Sequence, residues 1–160
     1  MLTKAQKIAV LEGAKELLGP NGENWTKSCW WGTKRTDDEI DQWLQEQGFG
    51  PLSDLTRLEL EDIERATDYS VYRDSVDPDK ANVWCLVGAL EESAWRLGIT
   101  TRRETTERFA PAVSLSKLVE SKEEWQGWAV IDVNDNPGTT WPMISGLLDE
   151  RLAELKEEVA

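Results

Sequence analysis

Residues 82–98 read NVWCLVGALEESAWRLG. Val83, Leu86, Val87, Leu90, Ala94 and Leu97 recur at three- and four-residue steps, with Cys85 and Ala89 alongside. This spacing predicts a helix that is apolar around most of its circumference over 83–90 and so sits at the centre of a domain. Gly88 leaves room for another backbone to approach, and Gly98 is a natural stop. Cys85 near the helix start has two readings. A helix N-terminus can lower a thiol pKa and expose a nucleophile. A free cysteine is also among the most buried of residue types, packing as a small hydrophobe.

Histidine decides between them. The chain has none, which removes the commonest general base and the usual partner of a nucleophilic cysteine. A carboxylate titrating near 4 is a poor base for a thiol near 8.5. Cys85 is therefore expected in the core, with no catalytic residues assigned. Two distant cysteines, Cys29 and Cys85, cannot supply the soft ligand set of a zinc site without histidine, so neither metal nor cofactor is expected.

Helical spacing recurs outward from this stretch. Thr3 and Gln6 form a capping-box pattern ahead of Ile8, Leu11, Ala14, Leu17 and Leu18, and Gly19–Gly22 ends that helix. Thr36 and Glu39 repeat the pattern ahead of Ile40, Trp43 and Leu44, with Gly48 as the stop. Leu55, Leu58, Ile63 and Ala66 suggest a helix to about Thr67, and residues 69–76 stay open between helix and strand. Residues 114–125 suggest a short helix capped by Ser114 or Ser116. Trp141, Ile144, Leu148, Leu152, Leu155 and Val159 mark a C-terminal helix, with Thr140 as N-cap and Pro142 in its first turn. WAVIDV, residues 128–133, is the strongest strand candidate, being short and β-branched. The resulting expectation is a mainly α fold with minor β: one domain over 1–160, a bundle of about five helices and one short β element near 128–133.

At 160 residues the chain is long enough to bury a core unaided, and its net charge is −13. Residues 36–79 hold fourteen Asp/Glu against three Lys/Arg, a net −11, and read as an acidic insertion-like lobe over about 33–79. Such a field repels phosphates, so direct nucleic-acid binding is not expected, whereas a basic protein partner is. No apolar run is long enough to span a membrane, and the N-terminus lacks a signal-peptide pattern, so a cytoplasmic location is the default expectation. Of the nine tryptophans, Trp43, Trp84, Trp95 and Trp141 fall at core spacings. Trp30 and Trp31 are adjacent and cannot easily share one buried face, so one of them is expected as an exposed anchor.

DVNDNPG resembles a calcium loop in Asp132, Asn134 and Asn136, but the glycine position holds Pro137 and the glutamate position Met143. A turn closed by local side-chain bonds explains it better. With Trp84 and Cys85, residues Asn134 and Asp135 form a candidate small pocket.

Trp84, Cys85, Gly88, Ala89 and Leu90, followed by Asn134, Asp135, Pro137, Gly138 and Thr140, resemble a family of small actinobacterial and actinophage proteins of unknown function. That family carries Trp-Cys-x-x-Gly-Ala-Leu and Trp-Asn-Asp-x-Pro-Gly-x-Thr. Val133 stands where its second tryptophan is usual, and residues 33–79 look like an insertion. The resemblance implies a mostly helical fold and a phage or actinobacterial setting, and carries no activity.

The expectation for function is a non-enzymatic acidic protein that binds a basic partner. Asp37, Asp38, Glu39, Glu59, Glu61, Asp62 and Glu64 supply the charge, and Trp30 or Trp31 the anchor. The alternatives are a DNA mimic that inhibits a nucleic-acid-binding protein, and an unusual thiol or small-molecule enzyme centred on Cys85.

Overall fold

In a computed structural model, which describes residues 1–27, 29–74 and 77–158, the chain opens with α1 (Lys4–Leu18). Thr3 and Gln6 close their capping box reciprocally, and Gly19 ends the helix with φ +85°. A loop leads to strand β1 (Trp31–Lys34) and then to α2 (Asp37–Glu46), whose Thr36–Glu39 box is also formed. A third box, Thr56–Glu59, starts α3 (Arg57–Thr67). Strands β2 (Tyr72–Asp74) and β3 (Val83–Trp84) both pair antiparallel with β1, which lies between them. Then follow α4 (Leu86–Arg96), α5 (Phe109–Ala112), α6 (Leu115–Glu120), α7 (Val130–Asp135) and α8 (Trp141–Glu157).

The fold is mainly α with a small sheet, as expected. Its finer divisions differ. Eight α-helices stand among the described residues rather than about five, because the segments at 109–120 and 130–135 break into short helices.

Residues 128–133 hold no strand. Val130 and Val133 face the core one helical turn apart, and Asp132 Oδ2 accepts from Ala129 N–H at 2.9 Å, fixing a first helical turn. β-Branching reflects packing on a half-buried surface, and α7 offers such packing against α4 and α6. The strand in 69–76 is β2, paired with β1; residues 75 and 76 lie outside those described, as does Val159. The central helix also starts later than its spacing suggests. Val83 and Trp84 are a strand, and Cys85 is the N-cap, its Sγ accepting from Gly88 N–H at 3.2 Å.

α4 is the axis of the main core and packs chiefly on α1, which in turn meets α8. Leu11, Leu18, Leu86, Leu90, Leu115, Ile144, Leu148 and Leu155 are fully buried there. Gly88 is where the loop lies on α4: a Cβ at that position would overlap the Trp30 carbonyl. A second, smaller core of Ile40, Leu44 and Val71 lies in the acidic lobe, flanked by Trp43 stacked on Tyr69 with ring centroids 3.8 Å apart.

The C-terminal part of the α4 stripe departs from its pattern. Leu97 is 48% exposed, past the end of the helix. Trp95 is 37% exposed, its ring covered instead by the Arg103 guanidinium 3.5 Å from the centroid. The buried positions beside them are Glu91 and Glu92. Arg108 donates to Glu91, as does Glu104 N–H at 2.9 Å. Glu92 accepts from Arg96 Nε at 2.8 Å and Arg103 Nε at 2.7 Å. Those pairs clamp the polar connector 99–108 onto the central helix. Buried carboxylates require such partners, since an unpaired one costs several kcal/mol.

Candidate functional site

Asn134 is the junction of the two sequence motifs. It is fully buried on α7. Its Oδ1 accepts from Trp25 Nε1 at 2.7 Å and from Leu86 N–H at 2.9 Å. Its Nδ2 donates to the Thr26 carbonyl at 3.2 Å and to Asp135 Oδ1 at 2.9 Å. One amide thus ties the 24–27 loop, the start of α4 and α7 together, with all its hydrogen-bonding capacity used.

Lys27 reinforces the same junction. Its Nζ donates to the carbonyls of Asn136 and Thr139, each at 2.8 Å, and lies 5.5 Å from the Trp25 ring centroid. Burial lowers the Lys27 pKa. The NDNPGTT turn is therefore closed by a lysine ammonium from a distant part of the chain, and by Asn136 Oδ1 accepting from Gly138 N–H at 2.8 Å. No signal along the sequence links Lys27 to this turn, because the contact spans more than a hundred residues.

Cys85 lies beside this junction and is 2% exposed. Burial pushes its thiol up to about 12, outweighing the Gly88 N–H that favours the thiolate. A thiol so placed stays protonated at neutral pH and reaches no solvent.

The four candidate pocket residues do not share one opening. Trp84 lines a groove of about 550 Å³ between α1, β3 and α4. Asp135 lines a shallower depression of about 320 Å³ with Trp128, Asp132 and Asn136. Cys85 and Asn134 are buried and line neither. The division follows from burial: Cys85 is packed in the core, and the Asn134 amide is fully bonded inside it.

Asp37, Asp38, Glu39, Glu59 and Asp62 are exposed. Glu39 closes the α2 capping box by accepting from Thr36 N–H at 3.0 Å, and both its oxygens also accept from Arg73 Nη2 at 3.1 Å. Those bonds, with the Thr36 N–H first among them, lower its pKa. Glu59 closes the α3 box, and Asp62 pairs with Arg65 at 3.0 Å. Glu61 and Glu64 are only half-exposed: Glu61 pairs with Arg57, and Glu64 accepts from Val71 N–H at 3.2 Å. Part of the lobe's acidity therefore serves its own helices. Neither Trp30 nor Trp31 is the exposed anchor expected from their adjacency. Both are half-buried against the main core, because the chain there runs into β1 across the face of α4.

The chain belongs to a family of unknown function, DUF6197. The family's model matches residues 3–151, which takes in the acidic lobe as well as the main core. Neither a curated protein nor a solved structure matches the chain. No helix among the described residues is long and apolar enough to cross a membrane.

Proposed function

We propose that the protein acts without catalysis, in the cytoplasm, by binding a basic protein through the face of the 36–79 lobe. The observation that supports this reading is the first turn of α2. Asp37 and Asp38 point outward there without an ion-pair partner among the described residues. Leu58, beside Glu59 on α3, keeps 70% of its surface in water, an apolar spot within a charged surface. Carboxylates around an exposed apolar residue suit a partner that carries lysine or arginine near a small hydrophobic patch. The buried, high-pKa thiol of Cys85 speaks against the thiol-enzyme alternative. The motif resemblance points to a phage or actinobacterial host as the place to look for the partner.

The test is capture from such a host by the purified protein across a salt series, read by mass spectrometry. A true partner is retained at low salt and released as ionic strength rises. The triple change Asp37→Lys, Asp38→Lys and Asp62→Lys should abolish retention while lowering stability by only about 1 kcal/mol. Retention unchanged by the triple change would exclude the lobe. A partner displaced by duplex DNA would redirect the reading to a DNA mimic.

A further inference from the structure

We propose that the groove between α1, β3 and α4 binds a small zwitterion of the α-amino acid class, its carboxylate held by Trp84 Nε1 and Arg96 and its ammonium by Glu16. One buried donor of the protein goes unused. Among the described residues, Trp84 Nε1 is the buried side-chain nitrogen or oxygen that has no hydrogen-bond partner. An indole N–H can only donate. Left unpaired in the interior, such a group loses its hydration without compensation. Trp84 is 5% exposed and lines this groove.

Arg96 supplies the second donor. Its Nε bonds Glu92 Oε1 at 2.8 Å, which leaves the two terminal amino nitrogens for another acceptor. The guanidinium lies 5.8 Å from the Trp84 ring centroid, and its side chain is half in water. In the proposed complex the half-exposed guanidinium turns its terminal nitrogens to the ligand and presents a planar fork to the carboxylate beside the indole. Glu16, on α1, lines the same groove and makes no ion pair among the described residues. With one cation and one anion, the walls fit a ligand that carries one charge of each sign. A phosphate dianion would leave Glu16 facing uncompensated negative charge.

The frame behind these groups is stiff. Gly13 lets α1 close on α4, where a Cβ would overlap Ser93, and Ser93 Oγ donates to the Val10 carbonyl at 2.8 Å. Fixed walls beside a half-exposed arginine are what a small-molecule site needs.

The indole N–H signals of the ¹⁵N-labelled full chain report on the site, with Trp84 assigned by Trp84→Phe. Each proteinogenic amino acid is titrated singly to about 10 mM, with inorganic phosphate as a parallel arm. At least one amino acid should move the Trp84 signal saturably. Arg96→Gln, at an exposed side chain, should weaken that binding tenfold or more, and Glu16→Gln should weaken it measurably. No saturable shift with any amino acid overturns the proposal, as does a phosphate response as large as the best amino acid's. Binding that survives Arg96→Gln or Glu16→Gln unchanged overturns it as well.

Discussion

Two acids of the body, Glu91 and Glu92, turn inward, whereas most acids of the 36–79 lobe face water. Glu91 and Glu92 lie in the middle of α4, clamped by Arg96, Arg103 and Arg108, and serve to fasten a connector. Asp37 and Asp38 lie at a helix start facing water, where the helix dipole favours them. The cores differ in the same sense: one large cluster runs through α1, α4, α6 and α8, whereas the lobe has three buried residues among those described. Net charge is therefore a poor guide to role. A carboxylate beside an arginine from a distant segment is structural, and one without such a partner remains available to another molecule.

The largest expected effect concerns Cys85. If the body opens only by global unfolding, iodoacetamide modifies Cys85 at least about 10⁴-fold more slowly in the native protein than in guanidinium. Peptide-resolved mass spectrometry reads the two rates, and rapid native labelling would show that the body is looser than its packing implies. Next is Asn134→Ala, which strands the Trp25 and Leu86 N–H groups in the interior and should cost about 3–5 kcal/mol in a denaturant melt.

Leu90→Ala and Leu44→Ala form the direct comparison. Each creates a cavity worth about 2–5 kcal/mol, but the second should act within the lobe alone. Hydrogen exchange resolves this: Leu44→Ala should release amides of α2 and β2 and spare α4, and loss of α4 protection would join the regions into one cooperative unit. The smallest effect is at Glu64. Burial raises its pKa, with the Val71 N–H opposing. An acid with a raised folded pKa is bound more tightly by its proton in the native state, so it weakens the fold as pH rises through that value. Glu64→Gln should therefore stabilise the lobe at pH 7 by a few tenths of a kcal/mol, with no gain at pH 4, as judged by exchange in β2.

Much of the helical frame is legible along the chain, because caps and apolar periodicity are local. Thr3–Gln6 and Thr36–Glu39 announce their helices, and Thr56–Glu59 carries the same signal amid a mixed apolar pattern. The sheet is not legible. Its strands are two to four residues long, and β1 gains its identity only from partners forty and fifty positions away. WAVIDV misleads for the same reason: α7 is decided by what α4 and α6 offer it, not by its own β-branching. In the candidate sites, Cys85 burial follows from composition and from the absence of imidazole. The inward Glu91–Glu92 pair, the Lys27 bonds and the Trp84 donor depend on tertiary contacts that no spacing rule encodes.

The position of β1 carries a last implication. Because β1 is flanked by β2 from the lobe on one side and by β3 from the body on the other, the lobe cannot be excised as a cassette. Cutting out 36–79 would bare a row of backbone amides and carbonyls along β1, a template on which truncated copies would stack edge to edge.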